Sequence, residues 1–238
     1  MKTRQLFFLT LILVSALGIL TSCDDCINGN GEVVTRYTKV GEISQIKLSG
    51  DAEIILVSDS SDSIKMVGES NILDILEIEE SGKSLKVKMK SCVLNHEKVV
   101  ITIPVRVLET LTLNGSGDIV SGTRLKADDL EVNINGSGDV TLDLDATDVV
   151  CEVNGSGNIN LKGSAQNQRI NINGSGNLEA TDFGCSAVKV TINGSGDCRV
   201  YATSALDVVV RGSGNVYYKG APNVNTEVKG SGSVNKIN

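Results

Sequence analysis

From about residue 108 onward, apolar and polar residues alternate in short bursts, and each burst ends at the same three letters. Gly-Ser-Gly occupies 115–117, 136–138, 155–157, 174–176, 194–196, 212–214 and 230–232, in steps of 21, 19, 19, 20, 18 and 18 residues. Aligned on the first glycine, the sequence falls into columns. Two residues before it stand Leu113, Ile134, Val153, Ile172, Ile192, Val210 and Val228; four before it stand Leu111, Val132, Cys151, Ile170, Val190, Val208 and Thr226. Four residues after it come Ile119, Val140, Ile159, Leu178, Cys198, Val216 and Val234. Polar residues such as Asn133, Glu152, Asn171 and Thr191 fall between the apolar ones. Period two on both sides of the glycines predicts two strands per unit, each with one buried face.

Nine residues before the glycine, a column of Ala127, Ala146, Ala165, Cys185, Thr203 and Ala221 marks a second corner. Two strands and two corners per 18–21 residues describe an all-β fold, a parallel β-solenoid whose coils stack at about 4.8 Å. Each sharp bend needs positive φ and leaves no room for side chains, which assigns Gly115, Gly117, Gly136, Gly138, Gly155, Gly157, Gly174, Gly176, Gly194, Gly196, Gly212, Gly214, Gly230 and Gly232 to structural turns. Asn114, Asn135, Asn154, Asn173 and Asn193 precede these turns and, stacked, would form an amide ladder.

Residues 36–110 are less regular, and 111–238 hold the repeats. Glu42 to Leu56 reads as a degenerate earlier coil, with Ser49-Gly50-Asp51 in place of Gly-Ser-Gly-Asp. Ser84–Met89 and Val99–Pro104 read as strands, and Asn71–Leu76 as a short helix after a capping Ser70 or Asn71. This part is expected to cap the solenoid, since terminal repeats must close an exposed core. The last coil has no evident cap, so an open strand edge and a homo-oligomer formed through it are expected.

The first residues bear on compartment. Met1–Arg4 is basic, Leu6–Leu20 is a nearly unbroken apolar run, and Leu20-Thr21-Ser22-Cys23 follows. Residues 1–22 form an export signal, to be excluded from fold reasoning. The Leu-Thr-Ser-Cys end resembles the bacterial lipobox, which implies a lipid on Cys23. The chain then meets the membrane through its anchor, residues 23–35 are a lipidated tether with 24–31 flexible, and the setting is the bacterial cell envelope, at the outer membrane. Without the signal, 20 basic residues face 29 acidic ones, a net charge of −9. That excludes nucleic acid and anionic lipid surfaces as partners, because both require clustered Lys and Arg.

Cys151, Cys185 and Cys198 fall at inward positions, as small hydrophobes. An oxidising envelope permits a Cys26–Cys92 bridge, although sequence alone leaves the pairing open. The column after the second glycine is mixed: Asp118, Asp139, Asn158, Asn177, Asp197, Asn215 and Ser233. Asp118 and Asp139 could share a cation, but solvated turn residues are the favoured reading, and no metal or cofactor is assigned. Seven serine nucleophiles would need bases, and the chain has one histidine, His96, in a polar turn. Tyr201, Tyr217 and Tyr218 form the only aromatic cluster, with Tyr218 at an inward position. No catalytic residue is assigned.

The strands around Leu48-Ser49-Gly50, the Ile72–Leu76 segment, a strand ending at Pro104 and the serial Gly-Ser-Gly-Asp/Asn turns together resemble the head GIN domain family, over about 36–236. The glycine-serine-glycine turns are its specific part. The resemblance implies an adhesin-like β-solenoid, often a lipoprotein of the Bacteroidetes, and transfers no functional residues. The expected function is a lipid-anchored, non-enzymatic envelope protein with a structural or binding role toward a glycan or surface protein. The alternatives are a periplasmic glycan-binding accessory protein and, less favoured, a β-helix enzyme acting on polysaccharide.

Overall fold

The structure, a computed structural model, describes residues 26–238; the expected export signal and Cys23 lie outside them. The stack consists of two ladders of parallel strands. One runs β7 (Ser84–Met89), β3 (Gln45–Gly50), β10 (Thr110–Gly115), β13 (Asp129–Gly136), β15 (Asp148–Gly155), the second halves of β16 (Ile159–Gly174), β17 (Leu178–Gly194) and β18 (Cys198–Gly212), then β20 (Asn223–Gly230). The other runs β9 (Val100–Val105), β4 (Glu53–Ser58), β11 (Asp118–Ser121), β14 (Asp139–Asp145), the first halves of β16 to β18, β19 (Asn215–Lys219) and β21 (Ser233–Lys236).

The register places the apolar columns in line. Leu48, Leu113, Ile134, Val153, Ile172, Ile192 and Val210 are each at most 1% exposed. Burying a side chain of this size contributes about 1.5–3 kcal/mol, so the interior column is a main source of cohesion between coils. Its last member, Val228, is 40% exposed. There the stack of described strands ends: among the described residues, β20 pairs only with β18 and β21 only with β19.

Coil length varies at the second corner, while the glycine corner stays constant. The coil ending at Gly194 is one residue longer than the coil before it and two longer than the coil after it, and the difference is taken up in register shifts between Asn160 and Lys162, Ala180 and Gly184, and Cys185 and Ala187. This corrects one column. Cys185 stacks on Ala202, which is buried, and not on Thr203, which is exposed. The longest step, from Gly115 to Gly136, accommodates its extra residues around β12 (Leu125–Lys126).

The N-terminal part closes the other end with antiparallel strands. β5 (Ser63–Glu69) pairs with β9 and with β2 (Val33–Lys39), and β6 (Leu76–Ser81) pairs with β7. The short helix α1 (Ser70–Asp74) buries Ile72 and Leu73. Its cap is Glu69, one residue before the expected Ser70 or Asn71, and makes no side-chain capping bond. The Glu69 carboxylate is used elsewhere: it accepts from the backbone N–H groups of Gly31 and Glu97.

Those bonds belong to a second difference from expectation. Among the described residues, 26–31 do not run free as a tether. Cys26 is bonded to Cys92, with Cα atoms 4.6 Å apart, and β1 (Ile27–Asn28) pairs with β8 (Val93–Leu94). Asn30 Nδ2 donates to Ser70 Oγ at 2.8 Å, and Asn71 Nδ2 donates to the Asn28 carbonyl at 2.8 Å. A polar, glycine-containing sequence has too little apolar surface of its own to signal docking; side chains distant in sequence supply the hold.

Candidate functional site

The seven Gly-Ser-Gly units stand in one line, rung upon rung. At Gly136 φ is +146°, and an added Cβ would lie 2.3 Å from the carbonyl oxygen of Gly115. At Gly138 an added Cβ would lie 2.0 Å from the Gly117 oxygen. The first glycine is therefore required by conformation and by stacking, the second by stacking. The close approach has a purpose. Ser137 N–H and Gly138 N–H both donate to the Gly115 carbonyl, at 2.9 and 3.1 Å, and the same fork recurs from Ser156 and Gly157 to Gly136. The stacked carbonyl thereby pairs backbone donors that the bend takes out of the strand ladders. All seven serine side chains point to solvent.

The line extends one rung further than the repeats. Gly50 lies beneath Gly115, and the Gly117 Cβ position abuts Ala52 O. In the degenerate coil Asp51 therefore takes the serine place and Ala52 the second-glycine place, one residue off the expected Ser-Gly-Asp alignment. Leu48 fixes this, because it must lie under Leu113 in the core.

Two side-chain ladders flank the corner. Asn135, Asn154, Asn173 and Asn193 each donate from Nδ2 to the Oδ1 of the asparagine one coil earlier, at 2.9–3.2 Å, beginning at Asn114. The Asp/Asn column after the second glycine does something its sequence did not announce. Asp139 Oδ1 accepts from Asn158 N at 2.9 Å, Asn177 Oδ1 from Asp197 N at 2.9 Å, and Asp197 Oδ1 from Asn215 N at 2.9 Å. These three side chains cap the backbone of the next coil. The regular recurrence of Asp or Asn was the available signal, since both residue types bond nearby backbone readily.

The cation idea meets a different arrangement. Asp118 and Asp139 are register partners, yet Asp118 Oδ2 receives Lys98 Nζ at 2.6 Å, and Lys98 also reaches Glu53 at 3.2 Å. The hydrogen bond to Asp118 holds the Lys98 ammonium above its ordinary pKa, against the desolvation that lowers it. Asp139 is occupied in capping. His96, in its polar turn, is mostly buried: Nε2 lies 3.2 Å from Asp51 Oδ2 and Nδ1 2.8 Å from the Glu97 carbonyl oxygen.

The tyrosine cluster divides. Arg199 covers the ring of Tyr217 at 4.7 Å, and Lys219 covers Tyr201 at 5.2 Å, while Tyr218 packs against the core. Two rings thus carry cations on their faces in place of a bare stacking platform. A shallow groove of about 340 Å³ crosses β15 to β18, with Ala187 and Ala205 between Asn167, Arg169, Lys189 and Asp207. Cys151 and Cys198 are fully buried, and Cys185 is 1% exposed. Burial pushes the Cys151 and Cys185 thiols up to about 12, and raises Cys198 as well.

The family model described as "Putative auto-transporter adhesin, head GIN domain" matches residues 42–222. The chain belongs to the head GIN domain family. A search of curated proteins gives no match. Among solved structures, a "putative adhesin" from Bacteroides fragilis superposes with a TM-score of 0.82 at 27% identity, covering 89% of this GIN chain and 100% of its own. A "putative lipid binding protein" from Parabacteroides distasonis gives 0.76 at 27% identity, covering 90% and 100%. A further "putative adhesin", from Parabacteroides merdae, shares the GIN fold at 23% identity, with a TM-score of 0.72 over 90% and 100% of the two chains.

Proposed function

We propose that this GIN protein is a lipid-anchored, non-enzymatic, adhesin-like solenoid of the bacterial cell envelope, displayed at the surface. It presents its polar ladder faces to a glycan or a surface protein. The observation that carries the reading is where the recurring residues go. The corner glycines are taken up by main-chain stacking, the Asn column by an amide ladder, and most of the Asp/Asn column by capping the next coil, so repetition builds a rod and not a row of reactive groups. The groove over Ala187 and Ala205, rimmed by amide, cationic and acidic groups, is suited to a polyhydroxylated ligand. The description of the Bacteroides fragilis relative as a "putative adhesin" supports the same role. Cys23 carries the lipid in this reading.

Protease added to intact cells tests display, with Cys23→Ser as the companion variant. Cleavage of the wild-type protein on whole cells, together with loss of membrane association in Cys23→Ser, supports the reading. Protection on intact cells points instead to a periplasmic glycan-binding accessory protein. Binding of the purified protein on a glycan array supports the ligand class, and turnover of any array sugar overturns the non-enzymatic part.

A further inference from the structure

The docked N-terminal segment has a geometric consequence for how the rod stands. We infer that the face of the N-terminal coils around the Cys26–Cys92 bridge lies against the bilayer headgroups, and that the last coil is the membrane-distal tip. This rests on the lipid anchor at Cys23 proposed above. Three Cα steps separate Cys23 from Cys26, so the lipidated residue lies within about 11 Å of Cys26 however those residues are arranged. Cys26 is itself fixed to the body by the bridge, by the β1–β8 pair and by the bonds that residues 28–31 make to Ser70, Asn71 and Glu69. The Glu69 side of that hold is 3% exposed, shielded from competing water.

The bridge sits at the strand layer of β7, next to the first corner of the stack. A hollow of about 590 Å³ there is lined by Gly50, Asp51, Cys92, Val93, Gly115 and Ser116. Leu94, in the ladder beside the bridge, leaves 52% of its surface exposed, an apolar contact at the place the leash would bring to the headgroups. From Ser116 to Ser231 the same corner serine recurs over six coil steps, about 29 Å at 4.8 Å per step. The leash cannot reach the far coils.

The corner serines supply a ruler. All are exposed, and Cys151, Cys185 and Cys198 are buried, so Ser116→Cys, Ser175→Cys and Ser231→Cys label selectively. The lipidated full-length protein is reconstituted in vesicles containing a headgroup-nitroxide lipid, and quenching of a fluorophore at each position is measured. The expected result is a monotonic fall, with quenching at 116 at least about threefold stronger than at 231, given the ~29 Å between them. Inserting ten Gly/Ser residues between Asp25 and Cys26 adds about 17 Å of flexible reach and should bring the 116 signal down toward that at 231. Equal or stronger quenching at 231, or a gradient indifferent to the insertion, overturns the inference. Failure of the protein to float with vesicles shows up before any quenching is read; it refutes the lipid anchor and this placement with it.

Discussion

Gly155→Ala isolates the physical idea on which the rod depends. Gly155 has φ of +138°, and a methyl there would sit 2.3 Å from the Gly136 oxygen, over an ångström inside contact. The strained backbone alone costs about 1–3 kcal/mol. Relieving the clash means lifting the coil from its neighbour, which weakens two bonds to the Gly136 carbonyl, from Ser156 N at 2.9 Å and Gly157 N at 3.1 Å. At about 1 kcal/mol per bond, the total reaches about 3–5 kcal/mol. Two companions separate the contributions. Gly82 has φ of +60° in the β6–β7 turn with nothing within 4 Å of an added Cβ, so Gly82→Ala reports conformational strain without stacking, about 1 kcal/mol. Ser156→Ala removes an exposed hydroxyl and should change stability by less than about 0.5 kcal/mol. Urea unfolding followed by far-ultraviolet circular dichroism gives all three midpoints. The reasoning is refuted if Gly155→Ala costs no more than Gly82→Ala, or if Ser156→Ala costs as much as Gly155→Ala.

Three further outcomes follow from the same packing. Replacing Cys26 and Cys92 by serine opens a loop with a sequence separation of 66; the chain-entropy relation gives a loss of about 4 kcal/mol, checked by thermal unfolding with and without reductant. Ile172→Ala in the fully buried column should cost about 2–5 kcal/mol in urea, whereas the corresponding change at half-exposed Val228 should cost less than half as much. The raised thiols make stability fall with alkali. Between pH 9 and about 11 the unfolded chain ionises its cysteines while Cys151, Cys185 and Cys198 stay protonated in the fold. Unfolding then releases protons, and stability drops by up to about 1.4 kcal/mol per thiol per pH unit, a slope that Cys151→Val with Cys198→Val should flatten by two thiols.

What the sequence by itself determined is what repeats. The coil count, the buried columns from Leu113 to Val210, the glycine corners and the asparagine ladder are legible because each follows from a local rule, period two or positive φ, applied many times over at one spacing. Repetition multiplies weak signals until they fix the register. The tertiary structure decided wherever the pattern occurs once. Gly50 takes its place under Gly115 because Leu48 must meet Leu113, not because its neighbours match the motif. The extra residues of the longer coils go to the half of the coil around the second corner, where the ladder register shifts, while the glycine corner keeps its register throughout. Glu69 forgoes the helix it precedes to hold Gly31 and Glu97, and Lys98 enters the acid column between Glu53 and Asp118. Residues 26–31 are fastened by partners 38 to 66 positions away. Such contacts depend on which segments the fold brings together, and spacing along the chain carries no record of that.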